Sequence, residues 1–222
     1  MRRLAERAVS LAPRAVILAL IAMGAGCSDP PGAAGLPFYR TAELMPEWID
    51  KSAKDYAAIH QIRDFTLVDQ AGAKITRAEL EGRVVVANFF FTQCVAICPT
   101  TRGNLQRVRT AFSEDGRLLL VSHSVTPDLD TTERLGAYAD QFGIEAEDWH
   151  LLTGPFEEIL GLARSSYFVN LQDGSGYGVP SMAHTENVVL LDPEMRIRGV
   201  YNGTLPTDIA RLIEDATLLL GM

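Results

Sequence analysis

Cysteine is scarce in this sequence: three residues in 222 exclude a small domain stapled by a disulfide framework. Positive charge is also short, with 20 Lys and Arg against 28 Asp and Glu and a net charge of −8. A basic start (Arg2, Arg3, Arg7 and Arg14 against Glu6) leaves the remainder more acidic still, at −11. Nucleic acid is therefore not an expected partner, because phosphate neutralisation needs clustered Lys and Arg. An acidic surface serves solubility and can steer cations or basic partners. No apolar run reaches the ~20 residues that a membrane-spanning helix needs. The sequence shows no Gly-rich phosphate loop, Ser/His/Asp arrangement, internal repeat or low-complexity tract. What is there is 47% hydrophobic and 22% charged, which suits one globular domain with its own core and some extra chain at one end.

That extra chain is the first sixty residues. Met1 to Arg14 carries the four arginines, and Ala15 to Gly26 follows as an uncharged apolar run ending in small residues. A basic segment, a short apolar segment and a small-residue zone make an export signal over residues 1–26. Arg2-Arg3 lacks the flanking residues of a twin-arginine signal. Cys27 stands where the small residues stop, before Ser28-Asp-Pro-Pro-Gly, and this resembles the lipobox of bacterial lipoproteins. Gly24 occupies the position where such boxes usually carry Leu, so simple cleavage to a soluble periplasmic form is the alternative to lipidation at Cys27. Residues 27–60, rich in Pro, Ala and Gly, read as a tether with one short helix near Ser52 to Ile59.

The folded domain spans residues 61–222. Phe65 to Thr76 alternates apolar and polar residues around Gln70-Ala-Gly72, the pattern of a β-hairpin, and a short helix at Arg77 to Glu81 stops at Gly82. Arg83 to Phe91 is apolar at both parities, as a central strand buried on both faces must be. Pro99 suits the first turn of a helix running to about Phe112. Leu118 to Val125 reads as a second apolar strand, and Asp130 to Phe142 as a helix capped by Asp130 or Thr131. Leu151-Leu-Thr-Gly leads into a helix opened by Pro155 and reaching about Ala163. Val188 to Leu191 and Ile197 to Tyr201 form a hairpin across Asp192-Pro-Glu, and Pro206 to Leu220 closes the chain as a helix. The order strand, helix, strand, helix, helix, hairpin, helix is an α/β plan with a central sheet flanked by helices and an N-terminal hairpin extension. Ligands of such sheets gather beyond the carboxyl ends of strands, where Cys94 and Cys98 fall.

Two thiols four positions apart, one in a loop and one at a helix start, can approach closely, and a helix N-terminus favours thiolate. A metal pair, a redox pair and a structural disulfide all fit that spacing. His184, just before the strand Val188 to Leu191, points toward the metal reading if that strand is central, because it then reaches the same sheet end. Two thiolates and an imidazole suit three-coordinate Cu(I), or three ligands of a Zn(II) site that needs a fourth. Among other candidates, His123 lies in a strand beside the site, as an outer neighbour of the ligands or as core. His150 and His60 read as surface or packing residues, Asp128 and Asp130 as turn and cap residues, and Phe89 to Phe91 as core, with Phe91 shielding the thiols from water.

The segments Asn88-Phe-Phe-Phe-Thr-Gln-Cys-Val-Ala-Ile-Cys-Pro99, Ser124-Val-Thr-Pro-Asp-Leu-Asp-Thr131, Trp149-His-Leu-Leu-Thr-Gly154 and His184-Thr-Glu-Asn-Val-Val-Leu-Leu-Asp192 resemble the Sco/SenC family of copper chaperones from about Ile62 to Leu220. That resemblance implies a thioredoxin-like fold, export with membrane attachment, and copper, as Cu(I) or also Cu(II), bound by Cys94, Cys98 and His184. It implies delivery of copper to the copper-site subunit of cytochrome c oxidase, or reduction of that site's thiols, with another periplasmic copper donor or acceptor as alternative partner. The chain departs from the family pattern at Thr126, where many members carry Asp before Pro. The expected protein is thus a metallochaperone rather than an enzyme, at the periplasmic face of a bacterial membrane, lipid-anchored or soluble. A Cys94-Cys98 disulfide in the oxidised form would switch copper binding off. The enzyme-class alternative is a thiol-disulfide oxidoreductase using the same pair.

Overall fold

The computed structural model describes residues 35–169 and 186–221. Two small antiparallel ribbons come first: β1 (Phe38–Tyr39) with β2 (Pro46–Glu47), and β3 (Thr66–Val68) with β4 (Lys74–Thr76). A one-turn helix α1 (Arg77–Leu80) leads into β5 (Val84–Phe90), followed by α2 (Cys98–Ala111), β6 (Leu118–Ser124), α3 (Thr132–Phe142) and β7 (Trp149–Leu152). Then come α4 (Phe156–Gly161), a π turn at Leu162–Ser166, β8 (Asn187–Leu191), β9 (Ile197–Asn202) and α5 (Pro206–Leu220). The larger sheet has the order β7-β6-β5-β8-β9. β5, β6 and β7 are parallel because a helix crosses over between each pair, while β8 runs antiparallel to β5 and β9. This is the central sheet covered by helices that the element order predicts, and the thioredoxin-like arrangement that the family resemblance implies.

All seven residues of β5 are buried, and their parity divides them between two cores. Val84, Val86 and Phe90 face Leu105 and Val108 of α2, Leu135 of α3 and Leu212 of α5. Val85, Ala87 and Phe89 face Leu67, Ile75, Leu80, Ile159 and Leu162 from the hairpin side. Helix ends follow local chemistry. Pro99 sits in the first turn of α2, the Thr131 hydroxyl accepts from the Arg134 N–H to cap α3, and Gly143 ends α3 in the left-handed region.

β7 lies outside the expected order, which ran that segment into the following helix. Four residues are too few to display a period, and long-range partners make the strand. Trp149 donates to Ser122 Oγ at 2.9 Å. The Gln70 amide donates to the Trp149 carbonyl and accepts from the Leu151 N–H, both at 2.8 Å, so one side chain satisfies the open edge that a further strand would have covered. The helix opened by Pro155 also differs, ending at Gly161 before the π turn.

Residues 1–34, and with them the expected signal and Cys27, lie outside the described residues. Within the stretch read as a tether, β1 packs against β9 and Ile59 is buried. Phe38 is 3% exposed, lies edge-on to Tyr56 and carries the Arg198 guanidinium 3.9 Å from its ring centre. Arg198 also donates to the carbonyls of Leu36 and Pro37. A 3-10 turn at Tyr56–Ala58 stands where the short helix was expected.

Candidate metal centre

β5 and β6 end side by side, and the chain leaves β5 through Phe91, Thr92 and Gln93 to reach Cys94 before α2 begins at Cys98. The Cys94 N–H donates to the Phe91 carbonyl at 3.2 Å. The loop then folds back so that Cys94 Sγ accepts the Cys98 N–H at 3.4 Å, which sets that sulfur at the N-terminus of α2, where backbone donors have no helical partners. α2 is seated at this end by a close approach of the turn that follows β9. A Cβ on Gly203 would meet Val188 Cγ2 at 2.7 Å and Thr101 Cγ2 at 2.9 Å, and the Gly203 carbonyl accepts from Asn104 Nδ2 at 2.8 Å.

Both cysteines are free thiols, and they are unlike. Burial alone would push the Cys94 thiol up, but the Cys98 thiol and the backbone N–H groups of Cys98, Ala96 and Ile97 outweigh it and hold Cys94 below the ordinary thiol value. Cys98 is the less covered of the two at the surface, half-buried where Cys94 is buried, yet desolvation of its sulfur followed by the hydrogen bond to Cys94 pushes it up to about 12. The helix terminus thus activates the loop cysteine that faces it, rather than the cysteine that begins the helix. Substoichiometric iodoacetamide at pH 7 is expected to label Cys94 well ahead of Cys98, as read by fragment-ion mass spectrometry; equal labelling would contradict this asymmetry.

A cavity of about 30 Å³ adjoins Cys98, lined also by Asn88, Phe91, Arg102, Ser122 and Tyr138, room for about one water. Arg102 in its lining stacks 3.4 Å from the Phe142 ring centre and donates to the Tyr138 hydroxyl at 3.0 Å. Phe91, expected to shield the thiols, is half-buried and lines this cavity beside Cys98. At the loop tip Val95 is 91% exposed.

The other candidates sort by their partners. Asp130 is not the cap of α3, a role that Thr131 takes. Its carboxylate is fully buried and accepts hydrogen bonds from Thr92, Ser124 and Thr126, a cluster that no spacing rule brings together. Asp128 is exposed. His123 is core: 0% exposed, stacked on Phe89 with ring centres 5.0 Å apart, and hydrogen-bonded to the Tyr167 hydroxyl at 3.2 Å. His150 is a buried packing residue paired with Asp69 at 3.1 Å, and half-buried His60 meets the Ser166 carbonyl at 2.8 Å. His184 lies outside the described residues. β8 pairs Val188 with Asn88, so the strand that follows His184 starts at the carboxyl end of β5. Among the described residues no three His, Cys, Asp or Glu side chains are grouped to hold a metal ion.

A model of the SCO1/SenC family matches residues 53–218. The chain belongs to this family. Among solved structures of the family, a SCO1/SenC lipoprotein from Bacillus anthracis is 27% identical with a TM-score of 0.66, covering 72% of this chain and 95% of its own. BsSco, described as a member of the Sco family of cytochrome c oxidase assembly proteins with a disulfide switch, is 25% identical with a TM-score of 0.62, covering 73% and 95%. Copper-bound ScoI from Arabidopsis thaliana is 26% identical with a TM-score of 0.60, covering 72% and 97%.

Proposed function

We propose that this chain is an exported copper metallochaperone that holds one Cu(I) between Cys94, Cys98 and His184 and passes it to the copper-site subunit of cytochrome c oxidase. The observation that carries the reading is the thiol pair at the start of α2, with Cys94 Sγ on the Cys98 N–H, in a chain whose family includes a copper-bound member. The donor chemistry fits. Two sulfur ligands, one held toward thiolate, select a soft cation, and the nearby hard carboxylate of Asp130 already has its oxygens engaged by four donors. The register of β8 against β5 supports His184 as third ligand, since it lies three residues before a strand that starts at this sheet end. Transfer proceeds by ligand exchange: incoming partner thiolates displace Cys94, Cys98 and His184 one at a time, and the ion keeps its oxidation state and is never released bare. The basic and apolar start of the chain supports placement at the periplasmic face of a bacterial membrane, with lipid on Cys27 or as a soluble form.

The inequality of the two thiols favours a second reading, a thiol-disulfide oxidoreductase. There Cys94 thiolate attacks a partner disulfide, forming a mixed disulfide and releasing one partner thiolate. Cys98, losing its proton, displaces the second, so the partner gains two electrons and the pair becomes a disulfide. Mixing the copper-loaded chain with the reduced, copper-free soluble domain of the oxidase subunit, and the copper-free reduced chain with the oxidised domain, separates the two. Copper appearing on the subunit, with Cys94 and Cys98 left as thiols, is the expected result. Copper that stays put, while an oxidised subunit is reduced and a Cys94-Cys98 disulfide forms, would replace the chaperone reading with the oxidoreductase.

A further inference from the structure

Asp130 is a fully buried carboxylate that the proposed copper chemistry leaves unused. Its oxygens collect four donors. Thr92 supplies its N–H at 3.2 Å and its hydroxyl at 2.5 Å, and the hydroxyls of Ser124 and Thr126 lie at 2.6 and 3.1 Å. The Arg134 guanidinium stops 4.0 Å away and donates instead to Thr92 Oγ1 at 3.0 Å. A carboxylate in the core is costly unless its lone pairs are satisfied, and here hydroxyls and one amide do most of that work. The ends of two parallel strands can be closed without any buried charge. What this charge adds is a fastening between Thr92, two residues before Cys94, and the end of β6.

The consequence follows from how the two sulfurs are carried. Cys98 rides on α2, which is fixed by its core face and by the Asn104 contact to Gly203. Cys94 rides on the loop, whose β5 end is held by Thr92 on Asp130. We propose that Asp130 is the positioning residue of the thiol pair: acting through Thr92, it fixes the exit of the Cys94 loop and so the placement of the Cys94 sulfur relative to Cys98 and α2.

This inference rests on the pair being the working site, so its test reads copper and the thiol-disulfide equilibrium separately, in the full chain carrying Cys27→Ser. Thr92→Val keeps the side-chain shape and the N–H bond while removing the hydroxyl link; Thr92→Ser keeps the hydroxyl. Thr92→Val is expected to weaken Cu(I) binding by about tenfold, the size of effect seen when groups that orient a ligand are lost, and to shift the equilibrium of the pair with glutathione. Thr92→Ser is expected to restore both, and Asp130→Asn combined with Thr92→Val to cost less than the two single effects together. Unchanged copper binding and unchanged glutathione equilibrium in Thr92→Val would overturn the inference, as would an equal loss in Thr92→Ser. Wild-type chain that binds no copper, with the glutathione shift present and rescued, would instead remove the chaperone reading and leave the positioning role standing.

Discussion

Acidification from pH 7 to pH 4 is expected to remove about 3 kcal/mol from the stability of the protein through His123. The ring is completely buried, and burial lowers its pKa from the ordinary 6.5 to about 3. Its ring neighbours among the described residues are Phe65, Phe89 and Tyr167; the Tyr167 hydroxyl is its hydrogen-bond partner, and Nδ1 has none among the described residues. No carboxylate among these neighbours would compensate an imidazolium. An unfolded chain takes up a proton at this histidine near pH 6.5, whereas the folded one does so only near 3. Between those values the unfolded state binds more protons, so the contribution of His123 is complete above about 6.5 and is lost progressively as the pH falls toward 3. His150, whose pKa burial also lowers despite Asp69 beside it, acts in the same direction. Urea unfolding at pH 7 and pH 4 checks the expectation. His123→Phe, which preserves ring volume and the stack on Phe89, should reduce the difference between the two pH values by about 3 kcal/mol; an unchanged difference would contradict it.

His123 also shows where sequence reading stops. Its place in a strand beside the cysteines allowed an outer role around the ligands as well as a core one. What decides between them is the aromatic cage, assembled from Phe65, Phe89 and Tyr167, residues far apart in the chain. The elements that were legible have signals of their own. β5 is apolar at both parities because a strand buried on both faces must be, and α2 and α5 each carry Pro in the first turn. β7 was not legible, because four residues carry no period and Gln70, nearly eighty positions earlier, completes its edge. Asp130 sits before a helix and looks like its cap, yet Thr131 takes that role and Asp130 turns inward to Thr92. The signal available was the run of hydroxyls at Ser124, Thr126 and Thr131, too many for one helix cap. The cysteine pair was legible as a pair at a strand's carboxyl end. Which thiol the helix terminus activates depends on how the loop folds back, and spacing alone does not fix that.

Loss of both thiols is expected to abolish copper binding altogether, a larger effect than any single change around them, because a thiol-poor site retains no soft donor except an imidazole. Loss of His184 alone should leave a two-thiolate site that holds Cu(I) about tenfold or more weakly. These expectations differ in kind from those of a purely redox pair, for which His184 would not matter and copper would bind only as it does to any dithiol. They also differ from those of a structural disulfide, whose reduction would unfold the domain.

The most direct measurement is anaerobic competition for Cu(I) between a chromophoric chelator and the full chain carrying Cys27→Ser, beside the same chain with Cys94→Ser and Cys98→Ser and with His184→Ala. The account predicts one Cu(I) per chain held against the chelator, weaker binding in His184→Ala and none in the double cysteine variant; equal copper retention with and without Cys94 and Cys98 would contradict it.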